Sequence, residues 1–305
     1  MRPFAGGATD FASESGTTKL ASADVNAAFS SFYDARVFET TGKAAVLFNA
    51  DNTCNEAGVS CLVEKPLALT TADCDALIAL ADGAGRILAV GHTFLYSEPV
   101  RMLRAIVAAG ELGSVRYLAS QRLNLGAIRP DASAMWDLAP HDVSIMLHLL
   151  DGLPEAVSAR QFGFAGADTT DVAFLTLEFP GGVVAHVHDS RLDPRKVRQL
   201  TVVGERKMAV YDDTDVEAPL RVYDAGVDRI SARASGRARH RDLGEGFGEF
   251  RFEVRTGDLW IPKVTACEPL RTEIERFADA VRTRVPPLTD GHHGRCVVAV
   301  LEAAE

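Results

Sequence analysis

Residues 61–92, CLVEKPLALTTADCDALIALADGAGRILAVGH, contain two short apolar runs separated by a helical pattern. The runs CLVEK (61–65) and RILAVGH (86–92) are typical of strands that are covered on both faces of a parallel sheet. Between them, Thr71 is the expected N-cap of a helix that stops at Gly83 to Gly85. The order strand, helix, strand predicts parallel pairing with a right-handed crossover.

Strand-like and helical segments also flank residues 61–92, and the pattern changes at Val115. KAAVLFNA (43–50) is a further short apolar run, and EPVRMLRAIVAAGELG (98–113) is an amphipathic helical pattern. From Val115 onward, strand-like segments follow one another without long helices between them, apart from one helix at 140–150. The strand-like segments are VRYLASQRLNL, AVSARQFGF, DVAFLTLEF, GVVAHVHDS and LTVVG, with a hairpin turn predicted at PGG (180–182).

The sequence therefore predicts an α/β protein with two domains. The first, residues 1–113, is an incomplete Rossmann-type parallel sheet domain. The second, residues 114–305, is an α+β domain with an open, mostly antiparallel sheet. Helices are expected at 22–34, at 268–283 and from residue 296 onward, and residues 224–248, which include His240, are expected to form a mobile loop.

Composition excludes several classes of partner. The chain has 305 residues, of which 47% are hydrophobic, which is enough for a sizeable core. A net charge of -10 and the lack of a basic stripe with interleaved aromatics argue against nucleic acid. No signal segment and no run of about 20 apolar residues is present, so no membrane is expected. Five scattered cysteines fit neither a disulfide framework nor a thiolate metal site, and we expect a cytoplasmic protein.

Glu64, Lys65 and Pro66 follow the first apolar run, where a parallel sheet binds its ligands. The proline restricts Lys65 to an extended backbone or allows a cis bond, and either fixes the direction of the ammonium group. Such a lysine can exchange a proton with a substrate hydroxyl. The structural alternative is a surface salt bridge followed by a loop.

A second constellation is MWDLAPHDVSIMLHLLDG (135–152). Because proline is tolerated in a first helical turn, Pro140 predicts a helix that begins near Asp137. Asp137 and His141 then lie one turn apart on one face, so the carboxylate can hold one imidazole nitrogen while the other abstracts a proton. The alternative is a capping aspartate beside a core histidine.

The remaining histidines point less clearly to chemistry. His186 and His188 alternate on one strand face, but the sequence offers no third metal ligand of suitable spacing. His292 and His293 fall in a predicted solvated loop, and His148 is expected to be a buried helix residue. The sequence therefore predicts no metal site.

Seven segments in fixed order resemble the Gfo/Idh/MocA oxidoreductase family. Within it they are most similar to the branch of 3-dehydrogenases that act on UDP-N-acetylglucosamine or its uronic acid. The resemblance covers residues 62–305. The segments are LVEKPLALT (62–70), VGHTFLY (90–96), GELGSVRYLASQRLNLG (110–126), WDLAPHDVSIMLHLLDG (136–152), RTGDLWIP (255–262), EPLRTEIERF (268–277) and PLTDG (287–291).

The resemblance implies a fold and a reaction. It implies a Rossmann domain followed by an open antiparallel sheet, a sugar or UDP-sugar substrate, and NAD as cofactor with NADP as the alternative. It also implies a homo-oligomer, either a dimer or a tetramer. Glu64, Lys65 and Pro66 are expected to contact the cofactor, and Arg122 and Asn124 the substrate.

The resemblance also implies catalytic roles. Lys65 is the lysine of the EKP motif, and His141 is the histidine of the D-x-x-x-H motif. We expect His141 to act as general base and Lys65 to stabilise the developing alkoxide, although the two roles could be exchanged. Asp137 is expected to orient His141.

The N-terminal region departs from the family pattern. Members open with a strand and G-x-G-x-x-G, which lets the backbone approach a pyrophosphate at a helix N-terminus. In contrast, GGATDFASESG (6–16) has wrongly spaced glycines, and AAVLFNADNTCNEAGVSC (44–61) resembles the expected next elements only faintly. Three explanations are open: a truncated or frame-shifted reading, a relic that has lost its cofactor, or a rebuilt site. The abrupt onset of patterned sequence near residue 62 favours the first.

Three functions follow from these observations. The first is hydride transfer between a nicotinamide cofactor and a sugar or UDP-sugar carbon. The second is a catalytically inactive relic that acts as a binding or scaffold protein, because the dinucleotide fingerprint is missing. The third, a metal-dependent hydrolase, rests only on His186 and His188.

Overall fold

Three short strands lie near the N-terminus, β1 (Thr18–Lys19), β2 (Phe38–Glu39) and β3 (Ala44–Leu47), and β1 pairs with β2 in antiparallel fashion. The predicted helix at 22–34, the glycine segment at 6–16, Cys54 and His240 lie outside the described residues. Besides the backbone of these strands, the computed structural model describes residues 59–126, 132–166, 169–231, 250–265 and 267–305.

The predicted parallel sheet is present. β4 (Ser60–Glu64) lies between β3 and β5 (Leu88–Gly91) and is parallel to both. Helix α1 (Thr71–Gly83) connects β4 to β5. Its N-cap is Thr70 and not the predicted Thr71, since the Thr70 hydroxyl accepts from the amide of Asp73 at 3.1 Å. Two adjacent threonines offer the same capping chemistry, and the extended backbone of the first decides between them.

A turn and a helix lead from β5 to the second sheet. Residues Thr93–Tyr96 form a 3-10 turn, and helix α2 (Glu98–Ala108) follows and buries its apolar face. Gly110 and Gly113 then adopt φ angles of 67° and 75°, in the left-handed region that glycine tolerates. The chain can therefore reverse sharply after α2.

An eight-stranded sheet, mostly antiparallel as predicted, forms the larger part of the described chain. Its strand order is β13-β12-β11-β10-β6-β9-β8-β7, and within it β6 and β9 run parallel. Helix α3 (Ala134–Leu150) covers one face of this sheet. The strands are β6 (Val115–Leu125), β7 (Ala156–Phe162), β8 (Val172–Phe179), β9 (Val183–Ser190), β10 (Leu192–Gly204), β11 (Met208–Asp212), β12 (Leu220–Ser231) and β13 (Phe250–Trp260).

Helix α3 begins earlier than its proline predicted. Ser133 caps the helix by accepting from the amide of Trp136 at 3.2 Å, so Pro140 lies inside the helix. The predicted start near Asp137 was therefore wrong. An internal proline removes one backbone hydrogen bond, but most of α3 is buried in the main core, and this packing outweighs the local preference.

The predicted loop at 224–248 was also partly wrong. Residues 224–231 belong to β12, which pairs with β13, whereas residues 232–249 lie outside the described part of the chain. These strands carry many exposed charged side chains, and Arg255 of β13 hydrogen-bonds to Asp224 and Asp228 of β12. Most of the glycines and the arginine-rich SGRARHRD (235–242) that predicted the loop lie beyond Ser231, so the prediction extended the loop too far toward the N-terminus.

Two C-terminal helices return to the parallel sheet. Phe277 of α4 (Pro269–Thr283) packs against Leu62 on one face, and Val298 of α5 (Gly291–Ala304) joins the cluster on the other face. Both faces of β4 and β5 are therefore covered, as their apolar runs predicted.

No helix within the described ranges is both long and apolar enough to cross a membrane. The domain boundary between residues 113 and 114 stays a prediction.

Helix α5 starts before the predicted residue 296. Asp290 caps it by accepting from the amide of His293 at 2.9 Å. His293 therefore lies in the first helical turn, and its Nε2 is buried. The predicted solvated loop was wrong for His293, whereas His292 is exposed.

Candidate active site

Lys65 lies directly beyond the carboxyl end of β4, as the sequence predicted. Its ammonium group is 3.0 Å from Oδ1 of Asp137 and donates to the Asp137 backbone carbonyl at 2.5 Å. The Lys65–Pro66 peptide bond is cis. The Lys65 side chain is only 15% exposed, so the surface salt bridge that was the alternative does not describe this contact.

Asp137 is held by a second cation that the sequence did not reveal. Arg191, between β9 and β10, donates from Nη2 to Oδ2 of Asp137 at 2.8 Å. Burial opposes ionisation of Asp137, but Lys65 and Arg191 outweigh it and hold the pKa of the carboxyl below its ordinary value. Asp137 is therefore a carboxylate with a different cation on each oxygen.

His141 follows Asp137 by one turn of α3. Its ring packs edge-on against Phe94, with centroids 5.1 Å apart at 79°. The Nδ1 atom is buried and has no hydrogen-bond partner among the described residues. Burial, and then the charges of Arg122 and Lys65, keep the pKa of His141 well below its usual value. A neutral imidazole is the form that can accept a proton.

Arg122 and Asn124, the predicted substrate contacts, differ in their surroundings. Arg122 is 5% exposed, donates to both oxygens of Asp142 at 2.7 and 3.1 Å, and stacks over Phe94 at 4.7 Å. Asn124 is exposed near the end of β6. Arg122 therefore has its charge balanced inside the protein, whereas Asn124 can meet a ligand.

Two further buried groups near the site carry unsatisfied polar atoms. Asp189, level with Arg122 in the β6–β9 register, is fully buried and neither oxygen has a partner among the described residues. Burial, followed by Asp142, raises the pKa of Asp189 well above its ordinary value. His92, after β5, has two buried nitrogens that lack partners in the described chain.

His186 and His188 alternate along β9 with the buried Ala185, Val187 and Asp189, so they lie on the other face of the large sheet. Both rings stack on Phe174, at centroid distances of 6.4 and 4.4 Å. Among the residues that the structure describes, no three or more His, Cys, Asp or Glu side chains form a group that could hold a metal ion. The hydrolase hypothesis gains no support from this pair.

Comparisons with known proteins decide the family. The family profile described as "GFO/IDH/MocA C-terminal domain" matches residues 100–210, and the profile "Oxidoreductase family, NAD-binding Rossmann fold" matches residues 48–92. The UDP-N-acetylglucosamine 3-dehydrogenase of Acidithiobacillus ferrooxidans is 30% identical over 248 residues, which cover 80% of this chain and 69% of that protein. This chain belongs to the Gfo/Idh/MocA family. The resemblance of its seven segments is thereby confirmed.

Other Gfo/Idh/MocA relatives agree with this assignment. The solved structure of the Acidithiobacillus ferrooxidans dehydrogenase, GnnA, has a TM-score of 0.65 and 27% identity, covering 85% of this chain and 76% of that chain. Inositol 2-dehydrogenase 2 of Saccharopolyspora erythraea is 30% identical over 159 residues, 47% of this chain and 46% of that protein. The chain is thus an oxidoreductase of a Gfo/Idh/MocA type whose relatives include sugar and inositol dehydrogenases.

Three residues of this Gfo/Idh/MocA site were missed by sequence reasoning. Arg191, His92 and Asp189 each contribute a buried polar group near Lys65 or Asp137. A usable signal was present for two of them. In GVVAHVHDSR (182–191), Asp189 and Arg191 continue the alternation of Val183, Ala185 and Val187. They therefore occupy positions of the predicted buried face, where charged residues are rare unless they are paired.

Proposed function

We propose that the protein transfers a hydride between a nicotinamide cofactor and a carbinol carbon of a sugar or UDP-sugar, with Lys65 and His141 handling the hydroxyl proton. The observation that carries the proposal is the contact of Lys65 Nζ with Asp137 at 3.0 Å, one helical turn from a neutral His141. An ammonium group whose charge acts on a nearby unprotonated imidazole suits the two tasks of charge stabilisation and proton acceptance.

The cofactor assignment rests on unsatisfied atoms around Lys65. His92 has two buried nitrogens without a partner in the described chain, and it follows β5 at the edge where β4 ends in Glu64 and Lys65. The two nitrogens of His92 can pair with the amide group of a nicotinamide. Because Glu64, Lys65 and Pro66 lie at the same edge of the sheet as His92, we propose that they contact the cofactor. When bound, the nicotinamide supplies the hydride acceptor. We propose NAD, with NADP as the alternative.

The side chains divide the remaining work. His141 takes the proton of the substrate hydroxyl while the C–O bond becomes a carbonyl and the C–H electron pair leaves as hydride. Lys65 donates a hydrogen bond to the oxygen on which negative charge develops. Asp137 holds Lys65 through its carboxylate and its carbonyl, and its predicted effect on the orientation of His141 stays part of the proposal.

Substrate contacts and assembly complete the proposal. Asn124 is exposed near the site and is the proposed substrate contact. We assign Arg122, engaged by Asp142, mainly to keeping His141 uncharged.

We also propose a dimer or tetramer that buries the face of the large sheet opposite α3, where Tyr117 is 48% exposed. Light scattering on the purified chain gives the subunit number.

The test offers the full chain UDP-N-acetylglucosamine, its uronic acid or myo-inositol together with NAD or NADP. Reduction of the cofactor is measured by the absorbance of NADH or NADPH. Lys65→Met is expected to lower kcat by about 10³-fold, because the alkoxide loses its donor. Lys207→Met, which removes a lysine from the turn between β10 and β11, is the matched control and is expected to leave kcat unchanged.

Two outcomes contradict the proposal. If Lys65→Met retains kcat within a few fold of the wild type, the lysine does not take part in the reaction. If no substrate is oxidised and calorimetry finds no binding of NAD, NADH, NADP or NADPH, the scaffold alternative is favoured instead.

A further inference from the structure

Arg191 is anchored more completely than a surface arginine requires. It is 4% exposed and lies between β9 and β10. Its amide donates to the Asp171 carbonyl at 2.9 Å, and its carbonyl accepts from the Gly126 amide at 3.1 Å. The backbone of Arg191 is therefore tied to two neighbouring segments before its side chain makes any contact.

The guanidinium group connects α3 to the residue that precedes its N-cap. Nη1 donates to the carbonyl of Ala132 at 2.9 Å, and Nη2 donates to Oδ2 of Asp137 at 2.8 Å. Ala132 immediately precedes Ser133, the N-cap of the helix, while Asp137 lies in its first turns. A planar fork can serve both acceptors at once, which a single ammonium group on a flexible stem does less well.

We propose that Arg191 is a positioning residue of the site, which balances the charge of Asp137 and turns its Oδ1 toward Lys65. The inference rests on the proposed function and adds a residue to it. Arg191 has no contact with the reacting atoms in this account. It acts through Asp137, which in turn holds the Lys65 ammonium.

Charge counting shows what Arg191 changes. Lys65 and Asp137 alone form a neutral pair, which offers a weak field to an oxygen that becomes negative. With Arg191, two cations share one carboxylate, so these three side chains together carry a net charge of +1. Their exposed fractions are small: 15% for Lys65, 22% for Asp137 and 5% for Arg191. In such a poorly hydrated place, the excess positive charge favours the alkoxide-like transition state over the neutral alcohol.

The alternative is that Arg191 only stabilises the fold. A structural role would lower the free energy of unfolding but leave the kinetics of the folded fraction unaltered, whereas the titration of Asp137 tests whether Arg191 balances its charge. The two roles are therefore separated by readouts that report on the folded protein alone.

The experiment compares Arg191→Gln and Arg191→Lys with Arg195→Gln, which removes an exposed arginine from the same stretch of chain. For Arg191→Gln we expect kcat to fall by about 10²-fold, with KM within a few fold and a larger primary isotope effect from substrate deuterated at the oxidised carbon. Arg191→Lys keeps the charge and is expected to recover part of kcat. Arg195→Gln is expected to match the wild type.

Ionisation of Asp137 gives a readout that needs no activity. Asp137 faces Lys65 from the end of β4, Arg191 from the β9–β10 junction and Asp189 from β9. Because Arg191 helps to hold the pKa of Asp137 down, carboxyl-carbon NMR titration is expected to find this pKa higher in Arg191→Gln than in the wild type. In an active enzyme, the acidic limb of kcat is expected to move to higher pH with it.

The failures of this inference and of the proposed function differ. A wild type that transfers hydride, with Arg191→Gln equal to it in kcat and in the Asp137 titration, overturns the inference and leaves the function intact. A wild type without activity overturns the function, and the NMR titration still decides whether Arg191 balances Asp137. If Arg191→Gln does not fold, Arg191→Lys tests the planar fork instead: because it keeps the charge, kcat is expected to stay below the wild type, and a kcat equal to the wild type overturns the positioning role.

Discussion

At the scale of single residues, the buried acids near the site differ in how their charge is balanced. Asp137 is paired with two cations and is ionised, whereas Asp189 lacks a hydrogen-bond partner among the described residues and favours its protonated form. Glu273 of α4 lies between these extremes. It is 2% exposed, its Oε2 accepts from the Thr93 hydroxyl at 2.7 Å, and burial raises its pKa to about 7.

Glu273 predicts a pH dependence of stability. The folded state keeps this proton up to about pH 7, whereas the unfolded chain releases it near 4.5, so the folded form binds more protons between these values. The free energy of unfolding should therefore decrease by about 3 kcal/mol from this group as pH rises through that window. Urea unfolding of Glu273→Gln at pH 5 and pH 8 is expected to lack this decrease, so that the variant gains on the wild type as pH rises.

Glu275 provides the matched control on the same helix. It is exposed and bonded to Arg271 at 2.9 Å, so Glu275→Gln should follow the wild type at both pH values within about 0.5 kcal/mol. Equal pH dependence for Glu273→Gln and the wild type would contradict the raised pKa of Glu273.

At the scale of elements, the docking of α5 on the parallel sheet depends on a glycine. A methyl group at Gly294 would lie 2.5 Å from Cγ2 of Val90 on β5 and 3.4 Å from Cβ of Leu67. Val90 is fully buried and β-branched, so it has little freedom to move aside. The closest approach of helix and sheet therefore excludes any larger residue at this position.

Gly294→Ala is expected to lower the free energy of unfolding by about 1–3 kcal/mol, because the added methyl overpacks the interface. Gly83→Ala, at the end of α1, is the control: nothing lies within 4 Å of its added methyl, and helix propensity should raise stability by up to about 1 kcal/mol. Chemical unfolding measures both. Equal and stabilising effects of the two substitutions would show that α5 does not dock as described.

Elements were predictable where one local signal dominates. The apolar runs predicted β4 and β5, a capping threonine with helical spacing predicted α1, and an amphipathic pattern predicted α2. The signal failed where tertiary packing overrides it, as at Pro140 inside α3, and where a glycine- and arginine-rich composition was extended into a strand, as at residues 224–231 of β12. An Asp290 cap before a glycine preceded α5, but the polar residues after it were interpreted as a loop.

At the scale of the whole molecule, the site combines segments that lie far apart in the chain. Lys65 comes from the parallel sheet, Asp137 and His141 come from α3, and Arg191 comes from the large sheet. Lys65, Asp137 and His141 were predictable because each belongs to a short motif with its own chemistry. The sequence marked Arg191 as a charged residue at the end of a strand, but its pairing with Asp137 was not predictable, since the contact depends on the β9–β10 junction meeting α3 in space.

The most direct test of the central claim is a crystal structure of the full chain with a reduced nicotinamide and a UDP-sugar. The account predicts one substrate hydroxyl oxygen within about 3.2 Å of both Lys65 Nζ and a ring nitrogen of His141. It also predicts that Arg191 remains on Asp137 in that complex. A sugar bound elsewhere, or Lys65 and His141 facing separate cavities, would contradict the account.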